Sequence, residues 1–100
     1  RKLVHEFTHI AQYQLGIKYA PLNLSNRWQY EYELKKGMSF SEYGREQQAE
    51  IVADYYEILN RAQDTRDRKS RAAHCKNIRA YANVIGESLP VQVPTICSSK

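Results

Sequence analysis

The sequence predicts a small, single-domain, mainly α-helical fold, and three observations support that prediction. The chain has 100 residues, the size of one domain with one hydrophobic core. Apolar residues recur at three- and four-residue steps in three separate segments, as on one face of a helix. Hydrophobic residues make up 42% of the chain and aromatic residues 11%, which argues against wholesale disorder. We therefore expect three helices and at most a minor strand, in one domain over residues 1–100.

The first predicted helix carries an apolar stripe and ends at Gly16, a residue suited to a left-handed helix stop. The stripe consists of Leu3, Val4, Phe7, Ile10, Ala11 and Leu15. Because the helical pattern is already present at Arg1, we expect the helix to begin upstream and the chain to be part of a longer protein.

The segment that follows the first helix has weaker signals. Residues 17–26 carry loop signals. From Trp28 to Leu34 apolar and polar residues alternate, which favours a half-buried strand, with a short helix capped by Ser25 as the alternative. Ser39 followed three residues later by Glu42 fits a capping box at the start of the next helix.

Two further helices are predicted in the second half of the chain. One runs from about Arg45 to Ala62 and the other from about Ser70 to Ile85, with Gly86 as its stop. The core-facing residues are Ile51, Val52, Tyr55, Ile58, Leu59 and Ala62 in the first of these helices, and Ala72, Cys75, Ile78, Ala82 and Ile85 in the second. Prolines at positions 90 and 94 predict an extended tail.

Residues 5–9 spell H-E-x-x-H, the one motif in the chain whose spacing carries a mechanism. His5 and His9 lie one helical turn apart, so both imidazoles can bind one zinc ion. Glu6, between them, can take a proton from zinc-bound water and later pass it to the leaving amine. The simpler alternative is two surface histidines on an ordinary helix, because this short pattern also occurs by chance.

A catalytic zinc site needs a third protein ligand, and the second predicted helix can supply it. Glu46, Glu50 and Asp54 lie at i, i+4 and i+8 on one face, where like charges repel by roughly a few tenths of a kcal/mol per pair. A cation opposite this face would remove the repulsion. Nearby, Ala49 and Ala53 are small enough to allow the first helix to approach closely. The alternative is a solvated acidic stripe, partly favoured by the helix dipole.

The segments HEFTH and IAQYQLG, followed by YEYELKKGMSFSEYG and EQQAEIVADYY, resemble the zincin metallopeptidases of the gluzincin type. In particular they are similar to peptidase domains of bacterial polymorphic-toxin and secretion-system effector proteins, in which HExxH-x-x-Q-Y-Q precedes E-Q-Q-A-x-I-V-x-D-Y-[FY]. The resemblance covers about residues 5–56, whereas residues 61–100 match no family pattern.

The resemblance implies a zinc-dependent peptidase that acts on a protein or peptide substrate. His5 and His9 would be zinc ligands and Glu6 the catalytic base. Gluzincins usually carry, ahead of this helix, a sheet whose edge strand pairs with the substrate, and this chain has no residues to build it. The resemblance therefore implies a fragment of such a domain, from a bacterial protein that is secreted or delivered by a secretion system.

The same resemblance leaves the third ligand open between two glutamates. Both Glu46 and Glu50 begin an E-x-x-A-[D/E] pattern, and the pattern of the relatives favours Glu46. Asp54 is expected to support the site by holding a ligand histidine through its second ring nitrogen. A donor for the oxyanion of the transition state is also needed, and the candidates are Tyr43, Tyr55, Tyr56 and His74.

The remaining charged and sulfur-bearing residues favour no competing activity. Nearly half of the positive charges lie between residues 61 and 79, in a chain of net charge +4. Nucleic-acid binding through Arg66–Arg79 is not favoured, because no stacking aromatic residue interleaves this stretch. Cys75 and Cys97 can form one disulfide in an oxidising compartment. A Cys–His nucleophile with His74, or a second zinc site from these three residues, lacks the required spacing.

Three hypotheses for function follow. The first is a zinc peptidase, and the second is a zinc-stabilised structural or binding module without catalysis. The third, the weakest, is nucleic-acid association. No uninterrupted apolar stretch in the sequence is long enough for a membrane span.

Overall fold

Three α-helices and two single-turn 3-10 helices make up the computed structural model, which describes residues 2–21, 30–91 and 93–97. The α-helices are α1 (Lys2–Leu15), α2 (Arg45–Asp64) and α3 (Arg68–Ile85). The 3-10 turns are Phe40–Glu42 and Thr95–Cys97. Because α1 and α3 both pack against α2, this helix lies in the middle of the fold. The predicted mainly helical fold is confirmed.

The polar side of α1 packs against α2, and most of its apolar stripe does not, although Val4 packs against the core. The buried residues of α1 are Thr8 and Gln12. Leu3, Phe7 and Ile10, from the apolar stripe, are 68%, 58% and 50% exposed. An apolar stripe ordinarily faces the core. In this fold Gln12 instead forms hydrogen bonds across the contact with α2, so the polar face is the buried one.

The chain turns sharply after α1, and this turn brings the end of α1 beside the start of α2. Gly16 adopts the left-handed conformation, with φ of 63°, which confirms the predicted helix stop. The backbone N–H of Ala20 then donates to the carbonyl of Tyr43 at 3.0 Å, and an isolated parallel bridge pairs Ala20 with Gly44. The first turn of α2 is thereby held next to α1.

The segment that was expected to form a strand is irregular where it is described. Residues 28–29 and Ser25 lie outside the described part of the chain, and residues 30–34 form a turn and irregular structure. Tyr32 and Leu34 nevertheless pack against the core, whereas the glutamates beside them are exposed. The alternation thus predicts the packing of Tyr32 and Leu34, but not that of Tyr30, which is 56% exposed. It does not produce a strand, because no second strand lies alongside among the described residues.

A capping interaction precedes α2, although it does not cap α2 itself. The side chain of Glu42 accepts the backbone N–H of Ser39 at 2.8 Å, as the sequence predicts. The structure it closes is the 3-10 turn Phe40–Glu42, two residues before α2 begins.

The hydrophobic core lies mainly between α2, α3 and the 3-10 turn at residue 40. Its buried members are Ile17, Phe40, Tyr43, Ile51, Val52, Tyr55, Ala62, Cys75, Ile78, Ala82, Ile85 and Cys97. Burying a side chain of isoleucine size contributes roughly 1.5–3 kcal/mol to the stability of the fold. Ile58 and Leu59 are partly buried, as expected, whereas Ala72 is exposed and does not belong to the core.

Both ends of α3 are fixed by local contacts. The side chain of Asp67 accepts the N–H of Ser70 at 2.9 Å and caps the helix, which begins two residues before the predicted start. Gly86 is the C-cap residue of α3, and a side chain is disfavoured there because a Cβ would lie 2.7 Å from the carbonyl oxygen of Ala82.

A disulfide joins Cys75 on α3 to Cys97, 22 residues later, and both cysteines are buried. Arg79 donates a hydrogen bond to the carbonyl of Cys97 at 2.6 Å, which holds the same tail segment. No thiol is left among the described residues for a second metal site. In the described part of the chain, no helix is long and apolar enough to cross a membrane.

Candidate metal centre

α1 and the first turn of α2 bring two histidines and one glutamate together. Oε1 of Glu46 lies 3.0 Å from Nε2 of His5 and 2.9 Å from Nε2 of His9. The two Nε2 atoms are 3.1 Å apart. The three atoms therefore form a nearly equilateral triangle. Within residues 2–21, 30–91 and 93–97, this is the one group of three His, Cys, Asp or Glu side chains whose atoms could hold a metal ion.

The side chains of the triangle are mostly buried. The side chains of His5, His9 and Glu46 are 14%, 12% and 18% exposed. Water is thus excluded from most of the site, which strengthens electrostatic interactions there. The remaining exposure of each side chain leaves the site in contact with solvent.

The second ring nitrogen of each histidine faces a hydrogen-bond acceptor. Nδ1 of His5 lies 2.8 Å from Oε2 of Glu50, and Nδ1 of His9 lies 2.7 Å from Oε1 of Gln12. A carboxylate or an amide oxygen accepts, so each Nδ1 carries the proton and donates it. In a neutral imidazole the other nitrogen then presents a lone pair. In the neutral form of both rings, the Nε2 lone pairs would therefore face Glu46.

The orientation of the Gln12 amide is determined by its other contacts. Its Nε2 donates to the carbonyl of Arg45 at 3.0 Å and to Oε1 of Gln48 at 2.9 Å. Both partners are acceptors, so the oxygen of Gln12 must be the atom that faces His9. The amide of the fully buried Gln48 in turn donates to the carbonyls of Lys18 and Phe40.

These two amides belong to the hydrogen-bond network around the candidate site and are not among the residues expected from the sequence. Gln12 lies three residues after His9 and seven after His5, so helical spacing places all three on one face. That spacing is the signal that could have identified Gln12. Gln48 carries no such signal, because its role depends on the loop carbonyls that surround it.

The donor set fits a zinc ion. Three lone-pair atoms in mutual contact repel one another, and a cation bound between them would remove that repulsion. Tetrahedral zinc holds its ligand atoms at about 2.0–2.2 Å, and therefore roughly 3.3–3.6 Å from one another. The observed separations of 2.9–3.1 Å require outward movements of only a few tenths of an ångström. Two imidazoles and one carboxylate are also a donor set of catalytic zinc sites, in which the fourth position stays open.

The structure separates the positions of the two candidate glutamates. Glu46 meets both Nε2 atoms, whereas Glu50 faces Nδ1 on the other side of the His5 ring. Glu50 therefore takes the supporting position that was expected of Asp54, and Gln12 takes it at the second histidine.

Asp54 belongs to a neighbouring cluster. Its carboxylate accepts a short hydrogen bond from the hydroxyl of Tyr32, which also lies 2.7 Å from the hydroxyl of Tyr81. Burial, followed by the hydrogen bond to Asp54, raises the pKa of Tyr32 well above its ordinary value. Tyr32 is therefore a neutral hydrogen-bond donor at physiological pH.

Glu6, the expected base, is exposed on α1. Among the described residues it forms no hydrogen bond or ion pair. Helical geometry places it about 100° around α1 from His5 and roughly 60° from His9. Its carboxylate is thus on the flank of the metal face.

The four candidate oxyanion donors have other surroundings. Tyr43 is buried, and its hydroxyl donates to the carbonyl of Glu33 and accepts the N–H of Lys35. Tyr55 is buried in the core, where burial raises its pKa, and the charge of the neighbouring tyrosine raises it further. Tyr56 lies ten residues after Glu46, roughly 15 Å along α2. The fourth candidate, His74, is half-buried on α3.

A tyrosine outside that set lies beside the site. The ring centroid of Tyr30 is 6.0 Å from that of His5, and this tyrosine is 56% exposed. The sequence analysis placed Tyr30 in the expected strand, and nothing in the spacing connects it with H-E-x-x-H. Its position depends on the path of the loop between α1 and α2.

Comparison with known proteins adds no relative. No family model, curated protein or solved structure matches this chain. The resemblance to gluzincins therefore stays a prediction, and support for a function comes from the geometry of the metal centre.

Proposed function

We propose that this chain provides the metal centre of a zinc-dependent peptidase. The observation that carries the proposal is the convergence of Nε2 of His5, Nε2 of His9 and Oε1 of Glu46 within 3.1 Å of one another. The three atoms come from two different helices and belong to residue types that bind zinc. Each Nδ1 atom also faces an acceptor, so that in the neutral rings the Nε2 lone pairs would point towards Glu46.

The roles of the residues follow from their positions. When bound, zinc would supply a Lewis acid that polarises a peptide carbonyl and lowers the pKa of water to about 7. Glu6, on the flank of the metal face, accepts the proton of the attacking water and returns it to the leaving amine nitrogen. Glu50 and Gln12 keep the two ligand rings in the required tautomer and orientation.

The test separates metal binding from catalysis. We expect the zinc-loaded chain to hydrolyse an unfolded protein such as casein, and Glu6→Gln to keep its zinc and lose that hydrolysis. Asp64→Asn serves as the control, because it makes the same change of charge at an exposed residue at the end of α2. Full hydrolysis by Glu6→Gln would remove the proposed mechanism.

One observation favours a second candidate function, a zinc-stabilised module without catalysis. α1 fully buries only Thr8 and Gln12, so a shared metal ion would add considerably to the cohesion of α1 with α2. Zinc bound at full stoichiometry without turnover of any protein or peptide would favour this alternative. Hydrolysis that depends on Glu6 would exclude it.

A further inference from the structure

An open pocket of about 560 Å³ adjoins the metal centre on the His9 side. It lies between the end of α1, the turn that follows and the first residue of α2. His9, whose Nε2 is one of the three converging donors, forms part of its wall. Its volume is in the range of pockets that bind small ligands or single side chains. A group bound there would lie next to a peptide carbonyl at the metal position.

The charge of this pocket is positive. Lys18 and Arg45 line it, and no aspartate or glutamate is among its described lining residues. The guanidinium of Arg45 lies 3.1 Å from Oε2 of Glu46, which holds it at the boundary between the pocket and the metal centre. An arginine has five N–H donors, so this contact leaves donors for a further acceptor.

The pocket also has a defined backbone and an amphipathic wall. The carbonyl of Lys18 accepts a hydrogen bond from the buried Gln48, so the backbone that carries the lysine is held in place. The rings of Tyr13 and Tyr19, 89% and 45% exposed, supply apolar surface at the rim. Such walls suit the methylene groups of an acidic side chain, with the two cations at its end.

A second depression, on the side of Tyr30 and Glu50, is negatively charged. This depression, of about 530 Å³, is lined by four carboxylate residues and by no lysine or arginine among the described residues. Among the described residues, a peptide that crosses the metal centre would thus meet cations on the His9 side and carboxylates on the side of Tyr30 and Glu50. The His9 side is the one that attracts a negative charge.

We propose that the pocket beside His9 is a subsite for a carboxylate of the peptide substrate. The enzyme would then prefer peptides with an aspartate or glutamate next to the scissile bond, or with a free C-terminal carboxylate there. This inference rests on the proposed peptidase function, because it names the substrate class of the same site. The two sources of carboxylate share one chemistry, and the experiment distinguishes them.

The test measures peptide binding rather than turnover. Zinc-loaded Glu6→Gln is titrated, by fluorescence anisotropy, with labelled peptides that are identical except for Glu, Gln or Lys at one internal position. Each is made with a free and with an amidated C-terminus. We expect the Glu peptide to bind about tenfold more tightly than the Gln peptide, as for a hydrogen-bonded charge, and the Lys peptide to bind most weakly. A preference for the free C-terminus alone would identify the terminal carboxylate as the ligand.

Lys18→Glu is the variant that addresses the pocket. Lys18 is exposed and contributes only its backbone to the network around Gln48, so the substitution leaves the fold intact. We expect it to abolish the preference for the Glu peptide. Lys76→Glu, an equal change of charge on the exposed side of α3, should preserve the preference.

The experiment distinguishes a wrong subsite from a wrong peptidase function. If the chain binds zinc and hydrolyses peptides, but Glu and Gln peptides bind equally and amidation has no effect, the subsite is refuted and the peptidase stands. Equal effects of Lys18→Glu and Lys76→Glu would also refute the subsite, since they would indicate a general charge effect. A chain that binds no zinc overturns the peptidase, and the substrate assignment with it.

Discussion

Nδ1 of His9 lies 2.7 Å from Oε1 of Gln12, and this contact determines which nitrogen of the histidine faces the metal centre. Gln12 is 4% exposed, and its amide nitrogen is committed to the carbonyl of Arg45 and to Gln48. The contact therefore links the tautomer of a proposed ligand to the packing of α1 on α2.

Replacing Gln12 should weaken zinc binding without removing a ligand. We expect Gln12→Leu to lower the zinc affinity about 10–100-fold, the usual effect of losing a group that orients a ligand. Competition with a chelator measures the affinity, and the ¹⁵N shifts of the imidazole in the apo chain report the tautomer of His9. Gln14→Leu, an exposed position on the same helix, is the control. Equal affinities for Gln12→Leu and Gln14→Leu would contradict this role.

The outer face of α1 should contribute little to stability. Leu3→Gln and Ile10→Gln remove apolar side chains that are mostly exposed, so we expect each to change the free energy of unfolding by less than about 0.5 kcal/mol. Ile51→Ala, in the core, should cost about 2–5 kcal/mol. Denaturant titration measures all three. Losses of several kcal/mol at the two outer positions would show that the stripe packs in the core.

The disulfide should stabilise the fold but leave the metal centre unchanged. It closes a loop with a sequence separation of 22, for which chain entropy predicts about 3 kcal/mol. We expect the free energy of unfolding to fall by about that amount in a reducing agent, while the zinc stoichiometry of the folded chain stays the same. The double variant Cys75→Ser/Cys97→Ser should be insensitive to the reductant. A wild-type chain that is equally insensitive would count against the bridge.

The cap of α3 should make stability depend on pH in the acid range. Hydrogen bonds from the backbone N–H of Ser70, and then from its hydroxyl, lower the pKa of Asp67 below its ordinary value of 3.8. A lowered pKa in the folded state means that ionised Asp67 stabilises the fold above 3.8, and that this contribution is lost as the pH falls through the folded-state pKa.

Asp67→Asn keeps a capping side chain that does not titrate. Between pH 5 and 2 we therefore expect the stability of the wild type to fall more steeply than that of this variant, as measured by thermal unfolding. Parallel curves would show that Asp67 does not contribute to the pH dependence.

The sequence predicts the helices well because their signals are local. Gly16 ends α1 as expected, and α2 and α3 begin and end within two residues of the predicted positions. The strand expected from Trp28 to Leu34 is not observed in its described part, residues 30–34. A strand needs a partner strand, which local alternation cannot reveal. The buried face of α1 could not be predicted either. The hydrophobic period identifies an apolar stripe, but it does not show that hydrogen bonds of Gln12 bury the polar face instead.

Part of the candidate site can be predicted from the spacing of its residues in the sequence. H-E-x-x-H predicts that His5 and His9 lie together, since residues four apart share a helix face. The sequence alone cannot choose between Glu46 and Glu50, which also share a face. That choice depends on how far α1 is shifted along α2, and the contacts of Gln12 with Arg45 and Gln48 determine this shift.

Zinc titration of the wild type, Glu46→Gln and Glu50→Gln tests the central claim most directly. The wild type should bind one zinc ion per chain. Glu46→Gln should lose more than about 100-fold in affinity, because it loses a ligand, whereas Glu50→Gln retains an acceptor for His5 and should lose less. Absence of zinc binding by the folded wild type, or unchanged affinity in Glu46→Gln, would contradict a metal centre built from His5, His9 and Glu46.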